Sequence, residues 1–279
     1  MSVKKIALLI LGILVILISI YSYKLLNKNK PLDYTLVFVG DSMTEYLGNF
    51  DELRNYLKKY YPNKNYTLLN YGFSSTNILS VPDRMEKLTD RAGRGFRPIN
   101  DITFDLIFIE SFGYNPLSQF SLADGLKKQK ETLDQIINII IQKHPKASIV
   151  FIATIAPNKE VFGGGVLNLL PDQKKQWVSE RIAYIKNHIE YAKSHNIPLI
   201  NIYQNSLNEK GDGNIDYINS TDFIHPSPTG IYFISKQIAD FILCENTPPL
   251  AGDKRTKELV PPFAGYPTAC SGEGFIYSR

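Results

Sequence analysis

Two short strings far apart in the chain hold the groups that acyl transfer requires: Gly40-Asp41-Ser42 and Asp222-Phe223-Ile224-His225. A serine hydroxyl is a weak nucleophile near neutral pH. It needs an imidazole to take its proton and a carboxylate to fix the tautomer and orientation of that imidazole. The second string supplies both. If residues 222–225 form one turn, Asp222 and His225 fall on the same side of it, and the carboxylate reaches the ring nitrogen turned away from the serine. Taken singly, each string is ordinary: Gly-Asp-Ser is a common polar turn, and Asp-x-x-His a common helix start.

The elements around these strings are of the kind that would bring them together. Residues 35–39, Thr-Leu-Val-Phe-Val, are β-branched and aromatic without polar alternation, which predicts a strand buried on both faces of a parallel sheet. Gly40 permits a tight turn, and a helical stretch over 50–60 ends before Pro62. Ser42 is thereby placed at the carboxyl end of a strand, where open α/β sheets bind ligands. Further strand-like runs at 66–69, 105–109, 148–153 and 198–203 alternate with helical stretches, notably 122–144 and 172–195. Within the first of these two helices, apolar positions recur at helical spacing from Leu133 to Ile141, so one face should pack on the sheet. A last helix begins after Pro226-Ser227-Pro228 and carries Ile231, Phe233, Ile234, Ile238 and Phe241. The reading is an α/β domain with a doubly wound parallel sheet of five strands.

The residues at those strand ends resemble the SGNH or GDSL hydrolases. In that family the nucleophile lies in a Gly-Asp-Ser string, here Gly40 to Ser42 followed by Met43 and Thr44. A second-block glycine donates its backbone N–H to the oxyanion, and Gly72 in Asn70-Tyr71-Gly72-Phe73-Ser74-Ser75 fits. A third block, Gly-x-Asn, contributes a side-chain amide, here Asn115 of Gly113-Tyr114-Asn115. The last is Asp-x-x-His, here Asp222 to His225 followed by Pro226. The four blocks occur in the family's order over roughly residues 35–243, the first three directly after expected strands. Met43 stands where leucine or isoleucine is commoner, and Pro116 where the third block usually has aspartate; neither touches the donor set.

The resemblance implies a three-layer α/β/α fold with a flavodoxin-like five-stranded parallel sheet, and a serine esterase acting on carboxylic esters. Ser42, Asp222 and His225 would be catalytic, and the oxyanion would be held by Ser42 and Gly72 N–H groups with the Asn115 amide. The family's range includes O-deacetylation of cell-surface carbohydrate, so the expected substrate is a small-molecule or carbohydrate ester. An acyltransferase on surface glycans would use the same residues and differ in excluding water. A reading of another class is a non-catalytic, membrane-tethered glycan-binding protein on a hydrolase fold.

Other features are assigned blander roles. His144 and His195 sit at helix ends and His188 inside a helix, where capping or surface positions are expected. Arg84, Arg91, Arg94 and Arg97 precede the third strand, which predicts a solvated face at the opposite end of the sheet from Ser42. Residues 156–171 include Gly163-Gly164-Gly165 beside Phe162, Val166 and Leu167, which suits a lid or a wall of an acyl pocket, with a disordered surface loop as the alternative. Of Tyr46, Phe73, Phe112 and Tyr114, which flank the blocks, at least half should serve packing. Neither metal-ligand spacing nor a phosphate-binding glycine loop occurs, so no cofactor and no metal are expected.

The formal charge of +4 misleads, because Lys4, Lys5, Lys24, Lys28 and Lys30 lie in the first thirty residues and the rest of the chain is at −1. Nothing basic remains to suggest nucleic acid. Those lysines flank residues 6–23, an apolar stretch long enough to span a bilayer and ending in Tyr21 and Tyr23. A membrane anchor at residues 1–30 with an extracytoplasmic catalytic domain is the expectation; a cleaved signal peptide and a secreted enzyme are the alternative. The remaining organisation reads as a hydrolase domain at 31–243 and a Pro- and Gly-rich tail at 244–279. Cys244 and Cys270 bracket that tail, either as one disulfide or as two thiols.

Overall fold

The computed structural model describes residues 32–244 without a break, together with Gly12, Ile16, Leu17, Ser19 and Phe275–Ile276. Apart from those four positions, residues 6–23 of the anchor reading lie outside the described residues, as does Cys270 and with it the pairing to Cys244. Among the described residues, no helix is long and apolar enough to cross a membrane.

The chain forms β1 (Leu32–Gly40), β2 (Lys64–Gly72), a short antiparallel hairpin of β3 (Thr89–Arg91) and β4 (Arg94–Phe96), then β5 (Leu106–Glu110), β6 (Ser148–Ala153), β7 (Leu199–Asn201) and β8 (Phe275–Ile276). The main sheet has the order β2-β1-β5-β6-β7-β8, parallel throughout except that β8 pairs antiparallel with β7. The five-stranded parallel sheet is as expected, with one edge strand added. β5 is buried at every position, as a central strand covered on both faces must be. Phe38 of β1 lies between the rings of Phe50 and Phe108, at 4.3 and 4.5 Å.

The crossover from β1 to β2 runs one way along the sheet, and those from β5 to β6 and β7 run the other. Right-handed crossovers therefore place their helices on opposite faces. One layer holds α2 (Asp51–Tyr60), against which α7 (Pro228–Cys244) packs; the α1 turn (Ser42–Glu45) precedes it. Tyr60 Oη donates to Asp240 Oδ1 at 2.7 Å between the two helices. The other layer holds α4 (Leu122–Lys143) and α5 (Pro171–Ser194), with the short α3 (Val81–Glu86) beside α4. α4 buries Leu133, Ile136 and Ile140, three and four residues apart, on its sheet-facing stripe. The expected strand at 198–203 is shorter than its apolar run: Asn201 Oδ1 accepts the Gln204 N–H at 3.2 Å and starts α6 (Ile202–Asn205).

The strand order reverses between β1 and β5. A crevice opens at such a switch point, outside the carboxyl ends of the two strands. Ser42 follows β1 and Asn115 follows β5, so the topology delivers both to that crevice.

Candidate active site

The turn that carries Ser42 rests on two glycines. Gly40 and Gly72 are register partners at the ends of β1 and β2. A Cβ on Gly40 would lie 2.0 Å from Thr44 Oγ1, and one on Gly72 would lie 2.3 Å from the Glu45 backbone nitrogen, so α1 packs onto bare backbone. Asp41 starts the turn by accepting the Met43 N–H at 2.8 Å through Oδ1. Ser42 is the first residue of the turn and is only 5% exposed.

Asp222 and His225 do form one turn. Asp222 Oδ1 accepts the N–H groups of Ile224 at 2.8 Å and His225 at 3.0 Å, while Oδ2 lies 2.8 Å from His225 Nδ1. With Nδ1 donating to the carboxylate, Nε2 is left as the acceptor. Burial works to raise the Asp222 pKa, but the His225 ring bond, the two backbone donors and the charge of the imidazolium outweigh it and hold the carboxyl below its ordinary range. Phe223 between them takes a left-handed φ of 53°. On the far side of the ring, Tyr46 stacks on His225 with centroids 3.9 Å apart and planes 2° from parallel.

Asn115 is fixed from beneath. Its Nδ2 donates to Asp41 Oδ2 at 2.9 Å, which leaves the second amide hydrogen for another acceptor. Asp41 in turn sits over Glu110, whose Oε2 accepts the Asp41 N–H at 3.3 Å and whose Oε1 accepts Ser111 Oγ–H at 2.7 Å. Both carboxyls are fully buried. Burial pushes Glu110 well above the usual carboxylate range, and the charge of Asp41 pushes it further. Burial also raises Asp41, against the opposing pull of Asn115, Met43 N–H, Glu110 and the Arg84 cation.

One cavity of about 400 Å³ gathers these parts. Ser42, Asn115 and His225 line it with Tyr46, Ser74, Ser75, Tyr114, Phe162, Leu167, Arg181 and Ile224. The residues singled out in the sequence thus meet, with one correction. The Gly72 N–H donates to Asn70 Oδ1 at 2.8 Å, and Gly72 borders a neighbouring cavity, not this one. The part of that loop facing Ser42 is two and three residues on, at Ser74 and Ser75, the latter left-handed at φ 59°. Glycine drew the sequence reading to position 72, whereas the strained backbone belongs to a serine.

Three further expectations need correcting. Arg84 is not on a solvated face: it is buried under the site, donating through Nη1 to the carbonyls of Gly40 at 2.8 Å and Tyr71 at 2.9 Å. Its Nη2 reaches Ser80 Oγ at 2.7 Å and also Thr76 Oγ1, and its guanidinium lies over Phe73 and Phe112 at 4.5 and 5.5 Å. Arg91 is also at this end of the sheet, with Nη2 donating to the Ser74 carbonyl at 2.6 Å, because the β3–β4 hairpin folds back over the carboxyl ends of the strands. His188 is neither a cap nor a surface residue but fully buried, its ring stacked on Phe151 at 4.2 Å. His144 and His195 do stand at the C-caps of α4 and α5. The glycine loop is a packed wall: Gly164 abuts Phe223, Gly165 abuts the Thr221 carbonyl, and Phe162 is buried against Tyr114 at 6.3 Å.

The GDSL-like Lipase/Acylhydrolase family model matches residues 38–231. Among solved structures, a GDSL-like lipase from Bacteroides thetaiotaomicron aligns with TM-score 0.50 at 15% identity, over 79% of this chain and 91% of its own. The acetyl xylan esterase AlAXEase aligns with TM-score 0.52 at 15% identity, over 73% of this chain and 97% of its own. At such identities the likeness is one of fold. No curated protein matches the chain.

Proposed function

Because the chain belongs to the GDSL-like Lipase/Acylhydrolase family, we propose that it is a serine esterase in which Ser42 attacks an ester carbonyl while His225 Nε2 takes the hydroxyl proton. The observation that supports this most directly is the Asp222–His225 pair, bonded at 2.8 Å in one turn, with His225, Ser42 and Asn115 lining a single cavity. Asp222, accepting from Nδ1, sets the tautomer in which Nε2 is the acceptor and steadies the imidazolium once it forms. The tetrahedral oxyanion is held by the Ser42 N–H, the Ser75 N–H in place of Gly72, and the free hydrogen of the Asn115 amide. Collapse expels the alcohol, protonated by His225, and a water activated by the same nitrogen then releases the acid.

The finer reading is removal of a small acyl group from a carbohydrate. Phe162, Leu167 and Tyr114 give the cavity an apolar wall of limited size, and Tyr46, 41% exposed beside His225, offers a flat aromatic face suited to a sugar. We place the catalytic domain outside the cytoplasm, tethered through residues 6–23, where the lysine-flanked apolar stretch supports an anchor.

Hydrolysis of p-nitrophenyl acetate tests the chemistry. Ser42→Ala and His225→Ala should each lose turnover by about 10⁴-fold or more, and a fluorophosphonate should label the wild-type protein at Ser42 alone. Labelling that survives Ser42→Ala, or turnover unchanged in either variant, would refute the assignment.

A further inference from the structure

Arg181 on α5 lines the cavity that holds Ser42 and His225. Among the described residues, no carboxylate lies within 4 Å of it. Its guanidinium carbon lies over two aromatic rings, Phe162 at 4.8 Å and Trp177 at 4.9 Å from the ring centroids, and Nη1 donates to the Trp177 carbonyl at 3.1 Å. Nε is buried and has no hydrogen-bond partner among the described residues. The aromatic contacts leave donors of the fork unspent, an arrangement matched to a planar or tetrahedral oxyanion.

The electrostatics of the surroundings agree with that geometry. A partly desolvated cation is costly unless something compensates it, and burial here lowers the Arg181 pKa, with Glu180, Tyr114 and Asp41 opposing. Of the carboxylates that act on it, Glu180 makes no ion pair with Arg181 within 4 Å, and Asp41 is already engaged with Asn115. The same sign of charge continues next door. Glu45 and Ser74, bonded to each other, separate this cavity from one of about 420 Å³ lined by Arg54, Arg91, Arg94 and Arg97, with Glu45 as its single acidic lining residue.

We infer that the ester presented to Ser42 carries an oxyanion, a carboxylate or a phosphate, and that Arg181 binds it. The inference rests on reading Ser42 as an esterase nucleophile and adds the substrate's charge class to that reading. An anionic group seated on Arg181 supplies a counterion and, through the fork, sets the orientation of the ester over Ser42. Neutral esters would then be turned over, but without that orienting contact.

The test uses three acetate esters with the full chain: 4-acetoxybenzoate, 4-acetoxyphenyl phosphate and the neutral methyl 4-acetoxybenzoate, each followed by acetate release in wild type, Arg181→Gln and Arg181→Lys. Comparing each ester with itself across the variants cancels differences in leaving group. In Arg181→Gln, kcat/KM for at least one anionic ester should fall about 10–100-fold further than for the neutral one, mainly through KM. Arg181→Lys should recover part of it, since an ammonium keeps the charge and loses the fork. Which anionic ester suffers more tells carboxylate from phosphate. An equal fall for all three esters would overturn the inference.

A binding arm separates this from any failure of the esterase reading. Trp177 is the chain's sole tryptophan and stacks on Arg181, so its fluorescence should respond saturably to phenyl phosphate or benzoate in Ser42→Ala protein. Benzamide should bind at least tenfold more weakly than the better anion, and Arg181→Gln should abolish that preference. If benzamide binds as well as both anions, the inference fails whatever the esters show. If the anions bind selectively but no ester is hydrolysed, only the esterase reading fails.

Discussion

Acid should weaken this fold more than its carboxylates alone require, because of His188. The ring is fully buried against Phe151, and neither nitrogen makes a well-formed hydrogen bond among the described residues, the Ile109 carbonyl being its nearest acceptor. Desolvation lowers its pKa from 6.5 to about 3, with only partial opposition from the Ile109 carbonyl. The sign follows from which state binds the proton. Well above pH 6.5 the ring is neutral both folded and unfolded, and nothing is lost. Below it the unfolded chain protonates His188 while the folded protein does not, so stability falls by up to about 1.4 kcal/mol per pH unit until the folded pKa is approached. Between about pH 8 and about pH 5 the difference comes to about 2 kcal/mol. That figure hardly changes if the folded pKa lies one unit higher. The assay is urea unfolding at both pH values, read by Trp177 fluorescence, for wild type and His188→Gln. The variant is expected to be weaker at both, since the site was shaped for a ring. Its loss between the two pH values should nevertheless be about 2 kcal/mol smaller than that of wild type. Equal pH losses in the two proteins would show that His188 titrates in the folded state, and the desolvation argument would be wrong.

Two further outcomes follow from the floor and rim of the site. Asn115→Ala removes an oxyanion donor and should lower kcat on the order of 10²-fold with little change in KM; normal turnover on p-nitrophenyl acetate would dismiss that role. Gly40→Ala places a methyl 2.0 Å from Thr44 Oγ1 and 2.9 Å from Glu110 Cβ, so it should cost about 1–3 kcal/mol in urea unfolding and displace Ser42 as well. A stable, fully active Gly40→Ala protein would show that the α1 turn can lift off the sheet freely.

The parts of the fold legible in the sequence were those with a local cause. β6 spans residues 148–153 as expected because a β-branched and aromatic run that opens after a Pro-containing turn and closes ahead of Pro157 has few other destinies. Asp222 and His225 were recoverable because three-residue spacing and a single turn fix their relation whatever surrounds them. Contacts made across the fold were not legible. Arg84 and Arg181 look like any surface arginines in their helices. The carbonyls of Gly40 and Tyr71 that bury the first, and the Phe162 face that orients the second, arrive from distant segments. His188 was misplaced because a histidine within a helix carries no local mark of which face turns inward. Ser75 carries no mark in the sequence, because the resemblance calls for a glycine in the second block, and the serine takes its left-handed backbone under tertiary constraint. β8 pairs with β7 across more than seventy intervening residues, and two residues carry too little pattern to reveal it.

The seating of α1 on Gly40 and Gly72 bears on how such an enzyme can change over evolutionary time. Ser42 owes its height above the sheet to two positions that have no side chain, and to a buried arginine bonded to main-chain oxygens. The walls of the cavity come instead from Tyr46, the loop at Phe162 and Leu167, and Arg181. Drift in those wall residues can alter what the cavity admits while the attacking oxygen keeps its place. Substrate choice is thereby free to change at the walls, whereas a single added methyl beneath α1 would move the attacking oxygen itself.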